Sequence, residues 1–215
     1  MRKRIGEAMQ YFFYCRDRAG AGPTRLALLK AHWAFMARYA DTMIARGPTM
    51  SADGKAVTGS MHMVDLPDAE AARIFAHDDP LARGGVFEDI MVHRFHNVPD
   101  RTMWQFEGDA KNPRFLFIGE ARRESAAQGR ALLGAQRDYL AHADPAAHVI
   151  VFGPLLGTDG ETWEGTAMLL EMPDVAAAEA LVAGDPAATA KLYARAELRP
   201  WRFGGEENLK DLVAR

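Results

Sequence analysis

GPTMSADGKAVTG at residues 47–59 and GPLLGTDGETWEG at residues 153–165 carry Gly-Pro, Asp-Gly and a closing Gly at the same places. The shift between them is 106 positions, and it holds further along the chain. Pro67 falls on Pro173, Asp79-Pro80 on Asp185-Pro186, Val86-Phe87 on Leu192-Tyr193, and Phe95 on Trp201. Upstream the shift is 104, with Tyr11, Phe12, Phe13 and Tyr14 on Phe115, Leu116, Phe117 and Ile118, Leu28-Leu29 on Leu132-Leu133, and Phe35 on Tyr139. Two residues inserted near Asp144-Pro145 explain the change, because a turn absorbs added length at little cost. Chance aligns one Gly-Pro pair; it does not align a whole series of turn-forming landmarks. The chain is an internal duplication, and each half must be read as one structural unit.

Both halves present the same order of signals. A strand spans Met9 to Cys15, or Arg114 to Ile118, in residues suited to a pleated, two-sided setting. A helix follows, with Thr24 as its expected N-cap. Leu26, Leu29, Trp33 and Met36, joined by Leu28, His32 and Phe35, recur at spacings of three and four, which makes one face apolar. Gly47-Pro48 and Asp53-Gly54 bracket a hairpin-like segment leading to the strand Ser60 to Leu66, matched by Thr166 to Met172. A second helix runs from Asp68 to about Ala76 and ends before Asp79-Pro80, since proline disfavours helical geometry at the preceding residue. The last strand covers Val86 to Phe95.

The order β-α-β-β-α-β is the ferredoxin-like arrangement, with two helices on one face of an antiparallel sheet. Met61 and Met63 alternate with His62 and Val64, and Ala167 and Leu169 with Met168 and Leu170, so both faces of this strand need cover. The duplication supplies it. The expected class is α+β, with tandem ferredoxin-like (βαββαβ) repeats packed sheet to sheet as a single-chain pseudo-dimeric α+β barrel. The copies are placed at residues 9–98 and 113–204, and tails at 1–8 and 205–215. A linker at 99–112 carries Gly108, Asp100, Asp109 and Lys111 around Trp104, whose ring is expected to dock on the body.

Composition narrows the function classes. With 26 Lys+Arg against 29 Asp+Glu in 215 residues, and no basic stripe, generic nucleic-acid binding is excluded. One cysteine, Cys15, excludes a disulfide framework and a CxxC metal knuckle, and fits a reducing cytoplasm. The apolar run from Met9 to Cys15 is too short for a signal segment, and no window approaches about 18 uncharged apolar residues, so no membrane partner is expected. Residues 1–8 read as a solvated tail, with Met9 as an alternative start. Gly84-Gly85 lacks the GxGxxG spacing of a dinucleotide cradle, and there is no P-loop. His93 and His96, three apart at a strand end, point to opposite faces and make a poor chelating pair, so no metal is expected.

The ordered set of residues resembles the YCII-related family, small proteins of the dimeric α+β barrel superfamily. The similarity rests on the opening strand MQYFFYC at 9–15, the helix carrying Ala31-His32, the Gly47-Pro48 turn, Gly59-Ser60, and DPLARGGVFE at 79–88. The second half is similar more loosely, through Gly153-Pro154, Gly165-Thr166, Asp185-Pro186 and Pro200-Trp201. The resemblance implies an active-site pair made of the helix histidine and the aspartate of the Asp-Pro turn, here His32 and Asp79. The second copy departs from the pattern. Gln136 stands opposite His32, with Asp138 as the other candidate if the register slips, while Asp185 still matches Asp79. One working site and one silenced site are expected.

Such a pair suits proton transfer. Histidine titrates near neutrality, and a carboxylate on one ring nitrogen fixes the tautomer and leaves the other nitrogen for a substrate. A plainer reading of the same residues stays open, with His32 a half-exposed helix residue and Asp79 a turn former that caps or stops a helix. His62 stands in a strand of Met and Val and is replaced by Met168 in the other copy; it reads either as a pocket-lining, substrate-binding residue or as a core histidine. Asp185 is the second candidate substrate contact. The expected function is cofactor-free His/Asp acid–base chemistry on a small cyclic or aromatic metabolite, of lyase or isomerase type. The resemblance adds that some relatives in aromatic-compound breakdown eliminate chloride from a chlorinated ring. The alternatives are a small-ligand-binding or regulatory module, and a haem- or oxygen-dependent monooxygenase of the kind found elsewhere in the superfamily. The expected partners are a small-molecule ligand and the chain's own other half, with further homodimerisation left open.

Overall fold

Four aromatic rings in a row, Tyr11 to Tyr14, fall two to each face of a strand because side chains alternate across it. In the computed structural model, which describes residues 9–142 and 148–205, this strand is β1 (Met9–Asp17). Phe12 and Tyr14 point into the core between the two halves, and Tyr11 and Phe13 pack beneath the helices. The first copy continues with α1 (Gly22–Ala37), β2 (Met43–Met50), β3 (Val57–Leu66), α2 (Ala69–His77), α3 (Pro80–Arg83) and β4 (Phe87–Phe95). The second repeats it as β5 (Arg114–Ala121), α4 (Ala126–His142), β6 (Val149–Leu156), β7 (Trp163–Glu171), α5 (Val175–Ala183), α6 (Pro186–Thr189) and β8 (Tyr193–Trp201). The expected tail at 1–8, most of the expected tail at 205–215 and the insertion near Asp144-Pro145 lie outside the described residues.

The eight strands form one closed antiparallel barrel in the order β1-β3-β2-β8-β5-β7-β6-β4. The fold is the α+β pseudo-dimeric barrel expected from the duplication, with one addition. The halves are stitched at their edges as well as packed by their faces, through Thr49 opposite Trp201 and through Arg94 and Phe95 opposite Leu156 and Leu155. These seams are short, one residue pair between β2 and β8 and two between β4 and β6. Met61, Met63, Ala167 and Leu169 fill the interior, while Val64 and Leu66 lie under the helices of the first copy and Met168 and Leu170 under those of the second.

The Gly-Pro landmark persists in both copies for a steric reason. A Cβ on Gly47 would lie 1.9 Å from the carbonyl oxygen of Arg202, and one on Gly153 1.8 Å from that of His96. At these points the chain leaving the last strand of one copy crosses the hairpin of the other. Backbone bonds hold each crossing: Gly204 N–H donates to the Arg46 carbonyl at 3.0 Å, and Val98 N–H to that of Phe152 at 3.0 Å. Gly54 and Gly160, at φ 68° and 72°, make the hairpin turns in the left-handed region that side chains disfavour.

Two local expectations are corrected and one is extended. Helix α1 begins two residues before Thr24, with Ala21 at the N-cap, because Pro23 is well placed in a first turn whose N–H groups lack helical partners. The Asp79-Pro80 and Asp185-Pro186 turns each open a short helix, capped by the aspartate itself. In the linker Trp104 remains 44% exposed, and the side chain that docks is its neighbour Met103, fully buried in the barrel core. Its sulfur accepts the Arg46 N–H at 3.3 Å. Among the described residues no helix is long and apolar enough to cross a membrane.

Candidate active site

The spacing Arg25, Leu29, His32, Met36 places four side chains on one face of α1, and this face turns toward β3. His32 is 7% exposed, so the half-exposed reading does not hold. Asp79, at 3%, reaches it from the far end of α2. The Nδ1 of His32 lies 2.9 and 3.0 Å from the two carboxylate oxygens of Asp79, and Oδ1 also accepts the Leu81 N–H at 3.0 Å. Helix capping thus fixes the carboxylate that receives the imidazole. With Asp79 accepting, Nδ1 donates its proton and Nε2 keeps the lone pair of the neutral ring.

His62 stands on β3 beside this pair, its ring 5.7 Å from that of His32 and 5.5 Å from Phe75. Burial drives its pKa well below the ordinary 6.5, helped by His32 whenever that ring carries a proton and by the charges of Arg46 and Arg25. The sign of the consequence follows from linkage. A folded-state pKa held below the unfolded value gives stability that is present above about pH 6.5 and is lost as the unfolded chain takes up a proton below it. Urea unfolding between pH 6.5 and 5 is expected to show this as a slope of at most about 1.4 kcal/mol per pH unit. His62→Met, which copies Met168 of the other half, is expected to remove that slope; an unchanged slope would mean His62 titrates freely.

The structure adds residues that sequence reading missed. Arg25, 8% exposed, is held by Asp17 through two bonds of 2.6 Å, from Nε and Nη2, and Nη2 also donates to Ser60 Oγ at 3.0 Å. His32, His62, Arg25 and Ser60 together line a cavity of about 350 Å³ whose apolar wall includes Leu29, Trp33, Met36 and Val57. Asp79 and Asp17 stand behind their partners and do not line it. Cys15 is buried, and burial together with Asp79 pushes its thiol upward, so it offers no thiolate. Among the described residues no three His, Cys, Asp or Glu side chains gather as metal ligands would.

The second copy keeps the frame and lacks the cavity. Gln136, in place of His32, donates to Asp185 Oδ1 at 2.6 Å and to Thr166 at 3.3 Å, while Tyr193 donates to Asp185 Oδ2 at 2.8 Å. Burial raises the Asp185 carboxyl, and the bonds from Gln136 and Tyr193 pull it back. Asp185 is fully buried, so the expected substrate contact there has no cavity to serve. The space is occupied by Trp163, the counterpart of Val57, which is 1% exposed. A Cβ on Gly129, the counterpart of Arg25, would lie 2.0 Å from its ring. The remaining crevice between Gly129, Gln136 and Trp163 has no room for water.

A closed barrel made of two βαββαβ copies, with one buried His–Asp pair facing a cavity, defines a single-chain member of the dimeric α+β barrel class. A mutant chlorite dismutase from Candidatus Nitrospira defluvii shares this fold at 12% identity, with a TM-score of 0.58 over 97% of both chains. The sequence profile of the YCII-related domain matches residues 9–96 and 114–202, and the chain belongs to that family as two tandem copies. Protein YciI of Escherichia coli O6:H1 is 30% identical over 97 residues, which are 42% of this chain and 99% of that protein. The 5-chloro-2-hydroxyhydroquinone dehydrochlorinase from Burkholderia phenoliruptrix AC1100, solved with 2,5-dihydroxybenzoquinone, is 26% identical. The match covers 43% of this chain and 99% of that one, at a TM-score of 0.41.

Proposed function

We propose that the chain is a cytoplasmic small-molecule enzyme with one active site, in its first copy, working by proton transfer of lyase or isomerase type without a cofactor. The observation that carries this is the asymmetry between the copies: the copy with a histidine against its buried aspartate has the cavity, and the copy with glutamine is filled. In the proposed step His32 Nε2 takes a proton from a carbon or hydroxyl of the substrate and returns it to another atom, or to the leaving group. Asp79 holds Nδ1–H throughout and favours the imidazolium that forms. His62, kept neutral, is a polar wall of the pocket and neither gives nor takes the proton. A binding module is the second reading, favoured by the loss of the histidine from the other half.

Solvent exchange separates the two without knowledge of the natural substrate. The full chain is incubated in D2O with a panel of small cyclic and aromatic ketones, enols and phenols, and each compound is weighed by mass spectrometry. The enzyme reading expects at least one compound to gain deuterium or lose a small leaving group, in a manner that depends on His32. If compounds raise the melting temperature and none exchanges or reacts, the protein binds without catalysing, and the acid–base assignment fails.

A further inference from the structure

We propose that the first-copy cavity is an anion site, taking a small organic acid whose carboxylate or phenolate docks on Arg25 and Ser60 while its ring-sized apolar body lies against Leu29, Trp33 and Met36. The proposal rests on the reading of this cavity as the substrate pocket, and names the chemical class admitted to it.

The first ground is the sign of the lining. Among the described residues, Arg25, His32, Arg46 and His62 line the cavity, and no Asp or Glu does. Two nearby carboxylates among the described residues are turned away, Asp79 behind His32 and Asp17 behind Arg25. The Arg25–Asp17 pair therefore presents its positive end to the cavity. The N-terminus of the 16-residue α1, whose Gly22 is also in the wall, adds a field of the same sign.

The second ground is donor geometry. Asp17 and Ser60 engage Nε and Nη2 of Arg25, which fixes the plane of the guanidinium. Nη1 has no hydrogen-bond partner among the described residues, although Arg25 as a whole is 8% exposed. Ser60 Oγ accepts from Nη2, so its hydroxyl proton is left to donate. Two donors held in advance at the floor of an apolar pocket match what a carboxylate or phenolate requires.

The third ground is the second copy. Arg25, His32, Arg46 and His62 correspond to Gly129, Gln136, Phe152 and Met168, so all four cationic or protonatable groups are absent where the cavity is filled. Asp79, which caps a helix, is retained as Asp185, which caps the equivalent helix. What the filled copy lost is the positive lining, and what it kept is the structural carboxylate.

Benzoate and benzamide, alike in shape and different in charge, test this on the full chain by calorimetry and by NMR of the histidine ring protons. Benzoate is expected to bind saturably, to shift the His32 and His62 resonances, and to bind about tenfold or more tightly than benzamide. Arg25→Leu would strand the Asp17 carboxylate and risk unfolding, so the deciding variant is the double replacement Asp17→Asn with Arg25→Gln, which keeps a neutral hydrogen-bonded pair. It is expected to weaken benzoate about tenfold or more and to leave benzamide unchanged. No benzoate binding, equal affinity for the two compounds, or unchanged benzoate affinity in the double variant overturns the proposal. The two readings fail separately. A benzoate preference without any exchange chemistry removes the enzyme alone, and turnover of neutral compounds with indifference to benzoate removes the anion site alone.

Discussion

His32→Gln is expected to slow His32-dependent exchange or turnover by about 10²- to 10⁴-fold, the range in which a positioned general acid–base contributes, while the melting temperature stays within a few degrees. The molecule itself supplies the reason to expect an intact fold. Gln136 occupies the equivalent place in the second copy and donates to Asp185 at 2.6 Å, so an amide can hold the buried carboxylate as the imidazole does. What it cannot do is accept a proton near neutrality. Asp79→Asn probes the same chemistry from the other side. An amide still caps α3 but no longer fixes Nδ1 as the donor, so activity is expected to fall by about 10²-fold or more with little loss of stability. Initial exchange rates together with thermal melts decide the matter: full activity in His32→Gln, with the cavity still binding ligand, would move the chemistry elsewhere.

Trp163→Ala is expected to destabilise the fold by about 3–5 kcal/mol, the cost typical of removing a buried aromatic ring from a site that cannot collapse. The indole is 1% exposed, lies tilted against Tyr193 with ring centroids 5.9 Å apart, and fills the space that Gly129 vacates. Its Nε1 has no hydrogen-bond partner among the described residues, so the ring is held by packing. Urea denaturation measures the loss. Added indole should recover part of it, because an apolar cavity of matching shape binds the missing group and binding to the folded state alone stabilises it. A loss under about 1 kcal/mol would show that the surrounding side chains close the gap and that the filled copy is not held shut by this residue.

The architecture was legible because its landmarks answer to constraints between the halves. Gly47 and Gly153 cannot carry a side chain where the other copy's backbone crosses them, so the repeat stays visible after most other positions have diverged. His32 and Asp79 were legible through family resemblance, since nothing in the stretch between two residues 47 positions apart announces a contact. Arg25 was missed for a related reason. Its partners Asp17 and Ser60 come from two different strands, and an arginine in a first helical turn is ordinarily solvated. Trp163 and Gly129 form a large-for-small exchange with Val57 and Arg25 that the aligned halves contain, but its meaning depends on knowing where the cavity lies. The linker misled through size. Trp104 looked like the anchor, whereas the side chain buried in the barrel core is the flexible thioether of Met103.

Gly204 and Gly205, which follow the last strand of the second copy, form part of the wall around His32. The half with Gln136 in place of the helix histidine therefore completes the pocket of the half that keeps it. On the proposed reading that half is free of chemistry and still not dispensable. A chain cut within 99–112 would keep His32 and Asp79 on one fragment and still open the pocket to solvent along the missing wall. Natural selection on the second half would then act on its outline, because any shift of its final strand is felt in a chamber whose polar groups it does not own.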